Sequence, residues 1–177
     1  MVGGVVEAAG VPPDMARPMN QGGDPSSSGV APSRGLNGGP IQPPGWAAPK
    51  GYANGWLAPP GARLLAIAGQ IAWDADQHLV AGGFAAQFKA ALANVVAVVR
   101  AAGGEPAHLI SLTIYVTDKQ AYLAATRELG AAWKELLGRH YPAMALVEVS
   151  ALLEPGALVE VQGLAALPAG DQGSNRG

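Results

Sequence analysis

The stretch GRHYPAMALVEVSALLEPGALVEVQG, Gly138 to Gly163, reads as a turn, a strand, a short connection and a second strand. Gly138 closes a helix and Pro142 prevents its return, so strands are expected over 143–150 and 157–166. Just upstream, HLISLTIYVT (108–117) alternates without a break. Ile110, Leu112, Ile114 and Val116 share one side; Ser111, Thr113, Tyr115 and Thr117 share the other. Between these strands, Thr117 or Asp118 caps a helix with the apolar stripe Tyr122, Ala125, Leu129, Trp133 and Leu136.

Further upstream, GARLLAIAGQIAW (61–73) is apolar and ends at the turn-like DADQH, which marks a strand. GYANGWL before it is read as its hairpin partner, with Asn54-Gly55 and Pro59-Pro60-Gly61 as turn signals. From Gly83 to Ala102 the period becomes helical, through Phe84, Phe88, Leu92, Val95 and Val99, and Gly103-Gly104 with Pro106 stops it. The order β-β-α-β-α-β-β is an α+β layer, one sheet with two helices on one face. The open face is expected to carry Tyr115, Met144, Leu146 and Leu158 among Thr, Ser and Glu. A half-apolar open face on a small domain points to a homo-oligomer.

Residues 1–44 differ from the rest. They are dense in Pro, Gly and Ser without apolar period, and read as a disordered tail that is either a partner-binding arm or a dispensable leader. The folded domain is expected over 45–167, with a second short tail over 168–177. The 177 residues include 49% hydrophobic and 14% charged residues, enough for one well-buried core. A formal net charge of −2 and scattered Lys and Arg argue against nucleic acid as a partner. With no cysteine, thiolate catalysis and cysteine metal sites are excluded. The N-terminus lacks the basic region of a secretory signal and no apolar run reaches the roughly 20 residues of a membrane helix, so a cytoplasmic location and no membrane partner are expected. No dinucleotide, P-loop, zincin or nucleophile-elbow motif is present.

LLAIAGQIAWDADQHLV, ALANVVAVVRAAGG, HLISLTIYVTDKQAY and YPAMALVEVSALLEPGALVEVQGLA, in that order, resemble the RidA family, also called YjgF or endoribonuclease L-PSP-like, from about Trp46 to Leu167. The resemblance implies a chorismate-mutase-like fold and a trimeric barrel with helices outside. It also implies clefts between subunits for small carboxylated metabolites, and cofactor-independent hydrolysis of enamines and imines. In active deaminases of the family an arginine follows Pro-Ala and a second glutamate closes the phrase EIEA. Met144 and Gln162 stand in those places here. Losing a carboxylate-binding arginine weakens a carboxylate ligand roughly ten- to a hundredfold. Gln162 can hold a water but cannot take its proton. Tyr52 in KGYANG matches the family's early tyrosine, and Gly69 in AGQ matches its backbone-lined pocket wall.

Each candidate carries two readings. Met144 and Gln162 line the cleft or pack in the barrel. Tyr115 bonds a ligand or a neighbour. Glu148 and Glu160, expected on the same side as Met144 and Gln162, supply a general base or pair across an interface. His140, before Tyr141-Pro142, is a proton shuttle or a satisfied turn histidine. His140 or Arg139 is the nearest replacement for the missing cation. Asp74 and Asp76 flank a turn, which suits Asp without a metal. No metal or other cofactor is expected. The functional expectation is an imine or enamine deaminase of a non-arginine kind, with water held by Gln162 and the backbone near Gly69, and Tyr52 or Glu148 moving protons. The alternative is a non-catalytic trimer that binds or scavenges a small metabolite; a ribonuclease ranks last for want of a basic patch.

Overall fold

The structure, a computed structural model, describes residues 38–169. Its elements are β1 (Gly39–Ile41), β2 (Gly55–Leu57), β3 (Arg63–Gln70), α1 (Phe84–Ala101), a 3-10 turn (Pro106–His108), β4 (Leu109–Val116), α2 (Lys119–Ala124), α3 (Thr126–Leu137), β5 (Ala143–Glu148) and β6 (Val159–Leu167). The main sheet has the order β3-β6-β4-β5. β6 runs antiparallel to both neighbours, and β5 is parallel to β4. The α+β class holds: helices cover one face of the sheet, where α1 packs on β6 and β3.

α1 forms because its apolar positions recur at helical spacing. Phe84, Phe88, Leu92, Val95 and Val99 are all buried, with Gly103 at φ 80° just past its end. By length and composition α1 is the described helix apolar enough to cross a membrane, but eight of its residues are buried against the fold, the place of a core helix. Asp118 caps α2 by accepting from the Gln120 and Ala121 amides at 2.7 and 3.1 Å. The single helix expected after it is two, breaking at Ala125 (ψ 11°). Tyr122, Leu129 and Trp133 still form one buried stripe.

Four expectations are corrected. GYANGWL does not pair with β3; Gly55–Leu57 pairs with Gly39–Ile41 in a separate two-stranded sheet. Strand β1 therefore lies inside the range read as a tail, while residues 1–37 and 170–177 fall outside the described residues. On β4 an irregularity between Leu109 and Ser111 turns Leu109 into the core and leaves Ile110 half-buried. The last correction sets the site. Met144 and Leu146 pair with the buried Leu112 and Ile114, so they lie on the helix-covered face. Leu158 also packs against the core. The open face instead carries Thr113, Tyr115, Ala145, Val147, Glu160, Gln162 and Leu164, with Leu64 and Ala66 on β3.

Candidate functional site

The polar part of the open face is built by strand register. Thr113 sits opposite Gln162, and Tyr115 opposite Glu160. On its other flank β6 meets a β-bulge: Ile67 pairs with Gly163 and Gln70 with Val161, so Ala68 and Gly69 together oppose Gln162. The Glu160 carboxylate lies where a side chain at position 69 would project. Glycine at 69 thus makes room for the acid. The strip Tyr115–Glu160, Thr113–Gln162 and the Gly69 backbone crosses three strands, with Gln162 exposed and Tyr115 and Glu160 half-buried.

At the end of this strip a cleft of about 440 Å³ is lined by Gly69, Gln70, Ile71, Trp73, Gln77, Leu153, Glu154 and Glu160. Two polar residues two turns apart on α1 hold its walls. Asn94 donates to the Ile71 and Trp73 carbonyls at 3.0 and 2.9 Å. The buried Gln87 donates to the Gly156 carbonyl and accepts from the Leu158 amide, at 3.0 and 2.8 Å, which fixes the loop bearing Leu153 and Glu154. Among the described residues the lining has two carboxylates and no cation. Water placed between Glu160 and Gln162 would have a proton acceptor on one side and an orienting amide on the other.

Not all the sequence candidates gather here. Gly69, Tyr115 and Gln162 do. Met144 and Glu148 lie on the opposite face of the sheet, paired with Leu112 and Val116. The Glu148 carboxylate accepts from the Lys119 amide at 2.8 Å, at the start of α2. Tyr52, Arg139 and His140 line a second cleft of about 350 Å³. The His140 Nε2–H donates to the Leu109 carbonyl at 2.6 Å, its ring meets Trp56 edge-on at 4.9 Å, and burial holds its imidazole below the ordinary value. In the sequence Glu160 and Glu148 are equivalent carboxylates. The bulge that brings it to Gly69 has no signature in composition. Asp74 accepts from the Asp76 and His78 amides, both at 2.9 Å, as the turn reading requires. Asp74, Asp76 and His78 also bring ligand atoms within 4.8 Å of one another, all exposed.

The family model described as Endoribonuclease L-PSP matches residues 50–167. The chain belongs to the endoribonuclease L-PSP family. Among curated relatives, the L-PSP domain is 29% identical over 104 residues to the human 2-iminobutanoate/2-iminopropanoate deaminase, covering 58% of this chain and 72% of that one. It is 32% identical over 108 residues to protein DfrA of Myxococcus xanthus, covering 58% and 76%. Among solved structures, a Rid-family protein of Yersinia pestis superposes with a TM-score of 0.63 at 32% identity, covering 74% of this chain and 99% of that one. RidA of an Antarctic Psychrobacter gives 0.52 at 28% identity, covering 68% and 92%. The family match therefore spans β2 to β6, including the bulge and the Glu160–Gln162 strip, and leaves out β1.

Proposed function

We propose that this chain is a cofactor-independent imine or enamine hydrolase of the RidA kind, acting at the strip of Gly69, Tyr115, Glu160 and Gln162. The observation that carries this reading is the Glu160 carboxylate against Gly69, beside Gln162. Glu160, rather than Glu148, is the general base. It takes a proton from a water held by the Gln162 amide as the oxygen attacks the C=N carbon. The nitrogen gains protons, the C–N bond breaks, ammonia leaves and a carbonyl product remains. Two carboxylates and no cation among the described lining residues favour a positively charged iminium without a carboxylate of its own.

Support for a trimer comes from the open face. Leu64 is 68% exposed, Leu164 42% and Val147 40%, all on the side that no described helix covers. Burying such a face against two further copies would seal the strip into clefts between subunits. The test pairs light scattering with ammonia release. A mass of three chains of 17.8 kDa is expected. So is faster ammonia release from an imine generated in situ by an amine oxidase than from one made by an amino-acid oxidase. A trimer that binds such imines without releasing ammonia would leave the binding-module reading in its place.

A further inference from the structure

The cleft at the end of the sheet-face strip is larger than hydrolysis of a short iminium requires. Its volume of about 440 Å³ lies in the range of sites for drug-sized ligands. A short-chain iminium at Glu160 would fill only part of it. The rest of the lining is apolar at Ile71, Trp73 and Leu153, and acidic at Glu154. Trp73 presents ring carbon to this space, because its Nε1 is buried and has no hydrogen-bond partner among the described residues. Leu153 is fully exposed. Such walls suit a chain of methylene groups, and an indole ring also attracts an organic cation.

Glu154 stands on the loop that Gln87 pins at Gly156 and Leu158, so its backbone is set before a ligand arrives. The Ala157 amide adds a bond to the Glu154 carbonyl at 3.1 Å. Among the described residues neither the Glu154 nor the Glu160 carboxylate has an ion pair or a hydrogen bond. The cleft thus holds two negative charges that no lining side chain offsets. Glu160 alone suffices as the base. Glu154, in the same cleft as the apolar side chains, matches a second positive charge on the same ligand.

We propose that the cleft selects imines that carry a second, ammonium-bearing end, the class made by oxidising one end of a diamine. Glu154 pairs with the distal ammonium while the C=N carbon lies at Glu160. The inference deepens the hydrolase reading and rests on it. Water adds to the iminium, the C–N bond breaks, ammonium leaves and the amino aldehyde keeps the distal charge. An amine-oxidising reaction must supply the imine.

The experiment has two arms, both on the full chain. In the first, calorimetric titration at low ionic strength compares hexamethylenediamine with hexylamine. The diamine should bind about fivefold more tightly, above the roughly twofold that two equivalent ends supply by counting. Salt at about 0.5 M should shrink the gap. Glu154→Gln should reduce it to the counting factor, whereas Glu128→Gln, at a carboxylate beside Arg127 on α3, should leave it in place. Because Glu154 is exposed, its variant does not disturb the core. In the second arm, ammonia release is followed from imines generated in situ from hexylamine and from hexylamine tipped with a trimethylammonium group, which cannot close on the imine. The tipped imine should give the higher kcat/KM, through a lower KM, and Glu154→Gln should erase the difference. Equal handling of the charged and uncharged tails, or a preference that survives Glu154→Gln, overturns this specificity and leaves hydrolysis at Glu160 standing. No acceleration of either imine overturns the hydrolase reading and this inference with it.

Discussion

Met144 and Gln162 lie on opposite faces of one sheet. Met144 pairs with Leu112 and Gln162 with Thr113, and neighbouring residues of β4 project to opposite sides. Met144 packs against the core, while Gln162 is exposed. Met144→Arg should therefore destabilise by about 1–3 kcal/mol, the cost of a charge at a half-buried apolar site. Gln162→Glu should stay within about 0.5 kcal/mol of wild type. Urea denaturation of both variants checks the contrast.

Gly69 and Glu160 offer a cleaner handle on the strip. A methyl at position 69 would meet the end of the Glu160 side chain, which can swing away at low cost. Gly69→Ala should leave the thermal midpoint within about 2 °C. It should nevertheless lower imine hydrolysis about tenfold or more by displacing the acid. Thermal denaturation and ammonia release on the same preparation separate the two effects.

Gln87 ties α1 to the loop that walls the cleft. Gln87→Leu keeps the volume but strips the Gly156 carbonyl and Leu158 amide of their partner. A loss of about 2 kcal/mol is expected, in the range for buried backbone groups left unpaired. Amide hydrogen exchange should rise in residues 153–158, next to the broken contacts, more than in β4.

His140 gives the fold a pH dependence. Burial lowers its affinity for a proton, the Leu109 hydrogen bond opposes this, and His108 adds to it. The unfolded chain then takes up a proton at higher pH than the folded one. This contribution is complete above the ordinary histidine value of 6.5 and is lost as pH falls below it, down to the lowered folded value. Between about pH 7.5 and 5.5, wild type should lose more thermal stability than His140→Gln. Parallel melting curves across that range decide it.

The fold was legible wherever a period was clean. The β4 alternation placed Leu112, Ile114 and Val116 in the core, and the helical stripe of α1 held throughout. The site was only partly legible. β5 reads AMALVE, apolar on both sides, so its pattern cannot say which side meets the helices; parallel register with β4 decides that. The irregularity at Ile110 and the bulge at Ala68–Gly69 leave no mark in composition, yet each redirects a side chain. The break at Ala125 falls in a helix-favouring run without Gly or Pro, and the partner of β2 lies in a stretch whose Gly and Pro suggested no structure.

The most direct measurement is ammonia release from a freshly generated imine by wild type and Glu160→Gln, both confirmed as folded by circular dichroism. If Glu160 is the base beside Gln162, wild type accelerates release and the variant loses about 10²–10⁴-fold of that acceleration. Equal rates in the two proteins, or no acceleration by wild type, would contradict hydrolysis at this strip.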